Sequence, residues 1–414
     1  MNYSLKHANK VIKGTVQLPA SKSLSNRALM IQALCQDAFT INNISKAKDT
    51  QILQESLNSS SSEINVNDAG TCMRFLTAFL ALKNEAVILK GSKRMHQRPI
   101  GPLVKTLNEL GANISYLEKE GYPPIKIEAG NLAGGKISVD GSISSQFISA
   151  LLLIAPLLKG GLSVEICGLL VSKSYLEMTL NIMSFFGIKY SWEKQWIHIS
   201  EQAYQAKDIS IENDWSSAAF WFEIVALAQE AHIVLEGMAK RSWQGDAFLL
   251  KIFSTLGVTY EFLNNQLHVS KTGFEKKPHY CYDLISTPDL AQPLCCTLAG
   301  LETNFMLKGL STLKIKESQR IKALKNELLK LGFETTISED SIESSSQAKI
   351  TSSDIAHIKT YQDHRIVMSF APLSLVCDEI IISDIQHVEK SYPHFWEDLK
   401  KVGFTIESLV HSNK

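Results

Sequence analysis

Cationic side chains recur beside the predicted starts of helices in this sequence. In the segment LPASKSLSNRAL, Lys22 and Arg27 flank Ser23, and either Ser21 or Ser23 is placed to cap a helix. A helix start offers free N–H groups and the positive end of the helix dipole, so hydroxyls and cations there make an anion-binding site. The same residues are also typical of an ordinary capped helix with two solvated cations.

A second group of this kind lies in NDAGTCMRFL and GSKRMHQRPIG. Asp68 is placed to cap a helix, and Gly70 in its first turn would let a ligand approach the backbone closely. Arg98 stands before Pro99, and arginine binds carboxylate or phosphate through paired hydrogen bonds. Taken alone, these residues equally suit a capped core helix followed by a solvated loop.

Two further segments carry clustered hydroxyl and amide groups. Ser144, Ser145 and Gln146 open the apolar run SSQFISALLLIAPLL, and Ser172 and Tyr175 lie in VSKSY. Serine at a helix start accepts hydrogen bonds from free backbone N–H groups, so a simple cap or polar turn explains each segment. The alternative is a site that binds hydroxyl groups of a ligand.

Acidic residues capable of proton transfer lie beside cations in the second half of the chain. Asp289 falls in the first helical turn of STPDLAQPL, where the helix dipole alone favours an acid. LKIKESQRIKAL places Lys316, Glu317 and Arg320 close together, and Glu317 and Arg320 have the spacing of a routine helix pair. A positioned carboxyl group can also transfer protons as a general acid or base.

The last motifs, YQDHRIVM and VEKSYPHF, contain His364, Arg365 and Lys390. The whole chain balances 42 Lys and Arg against 42 Asp and Glu, so bulk charge gives no support to binding of nucleic acid. A neutral chain that gathers cations at corresponding motifs is arranged for a small polyanionic ligand.

Composition argues against disulfide-rich, zinc-binding and membrane proteins. The seven cysteines are odd in number and form no CxxC pair, which argues against a disulfide framework or a zinc ribbon. The longest apolar stretch, 147–158, is shorter than the roughly 20 residues that span a bilayer, and the first residues contain no apolar signal core. We therefore expect a cytoplasmic protein without a metal site or a membrane segment.

The elements that position these motifs repeat along the chain. An apolar helix, a short β-branched run and an amphipathic helix ending before glycine recur in five segments, with starts near Gly70, Ser144, Trp215, Asp289 and Asp363. A less regular copy begins near Ser21. Units that recur roughly every 70–75 residues and mix strands with helices predict an α/β repeat fold of six units in two lobes.

The combined motifs resemble those of the 5-enolpyruvylshikimate-3-phosphate synthases. LPASKSLSNRAL, NDAGTCMR, RPIGPL, SSQFISALL, TPDLA, KIKESQR, YQDHRIVM and EKSYPHF occur in that order over nearly the whole chain. The resemblance implies the enolpyruvyl transferase fold, an inside-out α/β barrel in which each of two lobes contains three βαβαββ units. One lobe would comprise residues 1–18 and 210–414, and the other residues 19–209.

The resemblance also implies a reaction and roles for residues. The enolpyruvyl group of phosphoenolpyruvate would be transferred to the 5-hydroxyl of shikimate 3-phosphate by addition and elimination, in the pathway to chorismate and the aromatic amino acids. Asp289 would be the base and Glu317 the proton donor, with Lys22 a third catalytic candidate. No cofactor is implied, and we expect a monomer.

Binding residues follow from the same resemblance. Those implied for phosphoenolpyruvate are Lys22, Gly70, Arg98, Gln146, Arg320, Arg365 and Lys390. Those implied for shikimate 3-phosphate are Lys22, Ser23, Arg27, Ser144, Ser145, Gln146, Ser172, Asp289 and Lys316. Secondary contacts are expected from Tyr175, His364 and Thr312.

Two alternatives share the fold. The UDP-N-acetylglucosamine enolpyruvyl transferases typically carry a cysteine in the loop before Arg-Pro, where this chain has GSKRMHQRP. A non-catalytic phosphometabolite-binding protein would have no need of Asp289 and Glu317. The chain also departs from the family pattern at Asp68 and Thr312, where asparagine is usual, and at Phe75, where proline is common.

Overall fold

The computed structural model describes residues 2–83, 85–345, 348–351 and 355–409. The chain divides into two compact units. Unit 1 combines Met1–Pro19 with Glu212–Lys414, and unit 2 is Ala20–Ile211.

The regular elements of the described residues alternate strands with helices throughout. The α-helices are α1 Lys22–Leu34, α2 Lys48–Leu57, α3 Gly70–Leu80, α4 Gly101–Glu109, α5 Ser145–Ile154, α6 Lys173–Phe185, α7 Trp215–Leu227, α8 Leu249–Phe253, α9 Ala291–Gly300, α10 Arg320–Lys330, α11 His364–Phe370 and α12 Phe395–Lys401. The strands are β1 Asn2–Lys6, β2 Val11–Gln17, β3 Ile41–Asn42, β4 Glu63–Asn65, β5 Val87–Lys90, β6 Asn113–Tyr116, β7 Ile125–Glu128, β8 Gly135–Asp140, β9 Leu162–Cys167, β10 Tyr190–Glu193, β11 Trp196–Ile199, β12 Ile209–Ser210, β13 Glu230–Glu236, β14 Val258–Leu263, β15 Gln266–Lys271, β16 Tyr280–Asp283, β17 Phe305–Lys308, β18 Thr335–Ile337, β19 Ile342–Ser344, β20 Ala356–Ile358, β21 Ile380–Ile382 and β22 Thr405–Leu409.

Five four-stranded sheets share one plan, in which a parallel pair is followed by two antiparallel neighbours. Unit 2 contains the orders β4-β5-β7-β6 and β8-β9-β11-β10, and unit 1 contains β2-β13-β15-β14, β16-β17-β19-β18 and β20-β21-β1-β22. In both of these unit 2 sheets, the two parallel strands are joined through a helix, because parallel strands need a crossover connection. The irregular sixth copy forms only the two-stranded sheet of β3 and β12.

The first helix of each regular repeat is buried on nearly all sides. In unit 1, all residues of α7 except Ser216 are buried, as are all residues of α11. A helix that is apolar around its whole circumference belongs in a core, because it has no polar face to present to water. The starts of these buried helices are where the polar motifs lie.

The second helix of each regular repeat ends before a glycine, as predicted. Gly111, Gly187, Gly257, Gly332 and Gly403 all have positive φ, between 76° and 101°. Such left-handed residues end helices without the strain that a Cβ would introduce. The helix before Gly257 is interrupted, since only Leu249–Phe253 is α-helical between the 3-10 helices Gly245–Phe248 and Ser254–Leu256.

Candidate active site

Asp289 lies at the start of α9 in unit 1. It belongs to the 3-10 turn Pro288–Leu290, whose proline occupies the position where a missing N–H is harmless. The Asp289 side chain is nearly buried, and its oxygens accept hydrogen bonds from Arg320 and Arg365. The sequence-predicted acid therefore stands at a helix start among cations.

Arg320 connects three carboxylates. It is the first residue of α10, and its side chain is 2% exposed. Its Nε donates to Asp363 at 2.8 Å, Nη1 to Asp289 at 2.9 Å and Nη2 to Glu317 at 2.9 Å. The guanidinium thereby fixes the predicted base and the predicted proton donor on one rigid group.

Two lysines complete this arrangement. Lys390 Nζ lies 3.2 Å from Glu317 Oε1, and Lys316 Nζ lies 3.8 Å from Asp289 Oδ1. Glu317 precedes α10, so its contact with Arg320 is not the routine pair within a helix that its spacing allowed. Glu317 therefore has one arginine and one lysine beside it, and Asp289 has two arginines and one lysine.

Arg365 reaches across from α11. Its Nη1 donates to the Asp289 carbonyl oxygen at 3.1 Å, and its Nη2 donates to the Asp289 carboxylate at 3.3 Å and to Ser216 Oγ at 3.1 Å. Ser216 in turn donates to Asp246. Asp363 caps α11 by accepting from Arg365 N at 3.0 Å and also accepts from Ser318.

Burial and charge act oppositely in this cluster. Burial disfavours the charge on Arg320, but Asp363, Glu317 and Asp289 outweigh it and raise the pKa of Arg320 above its usual range. Burial raises the pKa of Asp246 to about 6, although Arg365 opposes the change.

Unit 2 holds the remaining predicted cations in different surroundings. Ser21, not Ser23, caps α1 by accepting from Leu24 N, and Lys22 follows it. Lys22 Nζ lies 3.2 Å from Asp49 Oδ2. Ser23 contributes its carbonyl oxygen to Arg27 Nη1 at 2.9 Å.

Arg27 is buried among neutral oxygens. Its Nε donates to Thr179 Oγ1 at 2.7 Å, and its Nη2 donates to Ser149 Oγ and the Tyr175 carbonyl, each at 3.3 Å. The guanidinium also lies 5.5 Å from the centre of the Phe75 ring. Burial lowers the pKa of Arg27 to about 10, so its charge is poorly compensated within the protein.

Gly70 was expected to leave room for a ligand, and its neighbour in the structure is the side chain of Arg98. A Cβ at this position would lie 2.6 Å from Arg98 Nη2, so Gly70 makes room for the guanidinium of Arg98. Arg74 fixes the same loop by donating to Gly70 O at 3.1 Å and to Pro99 O at 2.6 Å. The glycine thus lets an arginine lie flat against the start of α3.

The hydroxyl cluster of unit 2 surrounds the starts of α5 and α6. Ser144 caps α5 through the N–H of Gln146, and Gln146 Nε2 donates to Thr71 Oγ1 at 3.2 Å. Ser145 is buried in the first turn of α5. Ser172 is buried before α6 with φ of 55° and ψ of 37°, an unusual backbone conformation that concentrates at functional sites.

Thr312, His364 and Asp68 lie in three different surroundings. Thr312 is buried and its Oγ1 has no hydrogen-bond partner among the described residues. His364 is buried beside Asp363, with 3.8 Å between Nδ1 and Oδ1. The expectation that Asp68 caps α3 was wrong, because Ala69 occupies that position and Asp68 accepts a hydrogen bond from the Ser92 hydroxyl.

Sequence reasoning missed several residues in these clusters. Asp49, Ser149 and Thr179 hold the unit 2 cations, and Ser216 and Asp246 join the unit 1 cluster. The only available signal was that Ser216 lies in the first turn of an apolar helix. Nothing local distinguishes Asp246 from other acids at the start of an amphipathic helix.

The arrangement supports proton transfer beside an anion. Asp289 and Glu317 can exchange protons, while cations at helix starts can stabilise negative charge that develops on a substrate. All seven cysteines are free, and the described residues contain no group of three or more His, Cys, Asp or Glu side chains arranged to hold a metal ion. Within the same residues, no helix is both long and apolar enough to cross a membrane.

Comparison with known proteins gives consistent matches. The family model for EPSP synthase (3-phosphoshikimate 1-carboxyvinyltransferase) matches residues 6–59 and 53–399. The 3-phosphoshikimate 1-carboxyvinyltransferase of Bacteroides fragilis strain YCH46 is 43% identical over 98% of this chain and 99% of its own length. The protein of that name from Sulfurovum sp. strain NBC37-1 is 34% identical over 95% of this chain and 97% of its own.

Solved structures agree on the fold. A structure of EPSP synthase from Acinetobacter baumannii superimposes with a TM-score of 0.77 and 22% identity, covering 98% of this chain and all of that one. A second from the same organism gives a TM-score of 0.76 over 99% of this chain. The predicted α/β fold of repeated units is confirmed.

Proposed function

Because this chain belongs to the EPSP synthase family, we propose that it transfers the enolpyruvyl group of phosphoenolpyruvate to the 5-hydroxyl of shikimate 3-phosphate, releasing phosphate. This step lies on the route to chorismate and the aromatic amino acids. The observation in the fold that carries the proposal is the binding of Asp289 and Glu317 to the single buried guanidinium of Arg320.

The chemistry needs a base, an acid and fixed positive charge. In the addition step, Asp289 takes the proton of the 5-hydroxyl group. The hydroxyl oxygen bonds to C2 of phosphoenolpyruvate, while Glu317 delivers a proton to C3. In the elimination step, the Glu317 carboxylate takes a proton back from C3, the C2–O bond to phosphate breaks, phosphate leaves with the bonding electrons and the C2–C3 double bond re-forms. Lys22 is a third candidate for moving protons.

Cations stabilise the charge that moves during both steps. Oriented groups are most effective where they are already fixed before the reaction, as Arg320 and Arg365 are by Asp363 and Asp289. No metal or cofactor is needed for this chemistry when lysine and arginine supply the positive charge.

Binding roles are proposed residue by residue. For phosphoenolpyruvate they are Lys22, Gly70, Arg98, Gln146, Arg320, Arg365 and Lys390, with Gly70 acting through the placement of Arg98. For shikimate 3-phosphate they are Lys22, Ser23, Arg27, Ser144, Ser145, Gln146, Ser172, Asp289 and Lys316. Tyr175, His364 and Thr312 are proposed as secondary contacts, and the Thr312 hydroxyl, which has no hydrogen-bond partner within the described part of the chain, supports its place among them.

We propose that the protein is a monomeric enzyme of the cytoplasm that acts on small molecules. The balance of 42 basic and 42 acidic residues supports a role without nucleic acid. The seven free cysteines support a reducing compartment.

A phosphate-release assay tests the function. We expect release with phosphoenolpyruvate and shikimate 3-phosphate together, and none when UDP-N-acetylglucosamine replaces the shikimate ester. Asp289→Asn should retain binding of shikimate 3-phosphate but lose most turnover. Release with the nucleotide sugar, or binding of both substrates without release, would contradict the proposal.

A further inference from the structure

The buried core of unit 1 contains polar side chains that the proposed reaction does not use. Glu223 on α7, Gln292 on α9 and Ser369 on α11 are each 0% exposed. Both carboxyl oxygens of Glu223, both amide atoms of Gln292 and the Ser369 hydroxyl have no hydrogen-bond partner among the described residues. Buried polar atoms are nearly always hydrogen-bonded, so five unpartnered atoms in one core require an explanation.

The three side chains lie on the facing sides of their helices. Ser216, Asp289 and Arg365 meet at the starts of α7, α9 and α11. Residues three, four or seven positions further along an α-helix lie on the same face. Gln292 is therefore one turn beyond Asp289, Ser369 one turn beyond Arg365, and Glu223 two turns beyond Ser216.

The C-terminal ends of α7 and α9 are also paired with each other. A Cβ on Gly300 would lie 2.5 Å from Leu227 Cδ2, so α7 and α9 contact each other there also. Leu227 is four residues after Glu223, and Gly300 is four residues after Cys296. Glu223 is thereby placed opposite Cys296, consistent with the electrostatic effect of Glu223 on both Cys295 and Cys296.

No described cation neutralises Glu223. The groups that face it from α9 are the Cys295 and Cys296 thiols, whose pKa values burial raises, so both stay uncharged. Arg365 lies about two turns away and is bound to Asp289 and Ser216, beside Asp246. Lys271 on β15 donates to the carbonyl oxygens of Ala226 and Ala228 at the end of α7.

Other titratable groups near α7 do not change this conclusion. Burial is the cause that raises the pKa of Glu223 well above its usual range, with no charged partner contributing. The remaining titratable groups on β13, β14, β15 and α8 are exposed or half-buried, and they are Glu230, His232, Glu236, Tyr260, Glu261, His268 and Lys251. An isolated buried carboxyl group avoids the cost of its charge by keeping its proton.

We propose that Glu223, Gln292 and Ser369 form an internal water-binding site in the core of unit 1, in which Glu223 is a neutral carboxylic acid. A buried water typically makes about three hydrogen bonds to polar groups that have no other partner. The acid proton of Glu223, the Gln292 amide and the Ser369 hydroxyl supply donors and acceptors for about one or two such waters. The site needs no substrate, so its test does not depend on turnover.

Infrared spectroscopy tests the protonation state in the full-length protein. At pH 8, the difference spectrum between wild type and Glu223→Gln should show loss of a protonated carboxylic acid band. Loss of an ionised carboxylate band instead would overturn the proposal. Glu261→Gln is the matched control, because Glu261 is exposed on β14 of the same unit and should lose only a carboxylate band.

Unfolding at different pH values gives a second test. The folded pKa of Glu223 is raised, so the folded state binds one more proton than the unfolded state above pH about 4.3. The unfolding constant of wild type relative to Glu223→Gln should therefore rise about tenfold per pH unit until Glu223 ionises in the folded state. A ratio that does not change with pH would overturn the proposal, and Glu261→Gln should follow wild type.

A high-resolution crystal structure of the wild type tests the water itself and needs no variant to fold. We expect water density within hydrogen-bond distance of both Glu223 and Gln292. A dry core, with the Glu223 carboxyl bonded directly to Gln292 or Ser369, would overturn the water-binding site.

Discussion

Two buried arginines in this protein have opposite surroundings. Arg320 in unit 1 donates to three carboxylates, and its pKa is raised. Arg27 in unit 2 donates to two hydroxyls and two carbonyl oxygens, and burial lowers its pKa to about 10. The charge of Arg320 is neutralised by carboxylates inside the protein, whereas the hydrogen-bond partners of Arg27 among the described residues are all neutral oxygen atoms.

The different partners of Arg320 and Arg27 suit the two arginines to different roles. Arg320 orients acids, because one guanidinium donates hydrogen bonds to all three carboxylates around it. Arg27 suits recognition of a phosphate or similar group, since an arriving anion gains a charge-assisted hydrogen bond in a site already depleted of water. The proposed assignment of Arg27 to shikimate 3-phosphate and of Arg320 to the reacting centre follows this division.

The largest effect is expected at the acids that Arg320 orients. Glu317→Gln keeps the shape of the side chain but removes the proton donor, so turnover should fall by roughly 10²–10⁴-fold with little change in substrate binding. Steady-state kinetics would measure both quantities. Glu339→Gln is the control, since Glu339 pairs with Lys314 at an exposed position. Near-normal turnover in Glu317→Gln would exclude Glu317 as the acid.

Stability should distinguish the two arginines next. Arg320→Met leaves Asp289, Glu317 and Asp363 without their shared cation, which should cost about 3–5 kcal/mol of unfolding free energy. Arg27→Met should cost about 1–2 kcal/mol, because its lost partners are neutral and Thr179 keeps hydrogen bonds to Ser149 and Tyr175.

Chemical denaturation of both variants provides the measurement, and calorimetric titration with shikimate 3-phosphate provides the complement. Arg27→Met should lose affinity for this ligand despite its smaller loss of stability. Equal losses of stability in the two variants would show that the charges around Arg320 matter no more than the hydroxyls around Arg27.

A pH-dependent effect is expected from Asp246, which lies next to the Arg320 cluster. Its folded pKa is about 6, above the unfolded value of about 3.9, so it favours folding most below pH 4. As pH rises from about 4 to 6, wild type should lose about 3 kcal/mol of stability relative to Asp246→Asn, and the difference should then stay constant. Denaturation midpoints across that range provide the check, and a difference that moves the other way would refute the assignment.

The smallest effect is expected at Asp68. Its carboxylate is exposed and accepts a hydrogen bond from Ser92, so its repulsion of phosphoenolpyruvate should be well screened. Asp68→Asn should change the Michaelis constant for phosphoenolpyruvate by less than about fivefold, corresponding to an exposed charge worth under about 1 kcal/mol. A larger decrease at low salt that vanishes at high salt would instead establish direct repulsion.

The repeat pattern and the residues at helix starts were predictable because their causes are local. Glycine after an amphipathic helix adopts a left-handed conformation wherever that helix ends, and Gly111 and Gly332 both do so. Asp289 and Arg365 were identifiable for the same reason, since each lies in the first turn of an apolar helix or immediately before it.

Long-range pairing was not predictable from local pattern. The sequence of α3 does not reveal that Gly70 makes room for Arg98, or that Phe75 lies over Arg27 from a different helix. The partners of Arg320 come from three separate segments, and Asp246 joins through Ser216 of α7. Helix starts follow from neighbouring residues, but which buried charge is neutralised depends on the side chains that folding brings from distant parts of the chain.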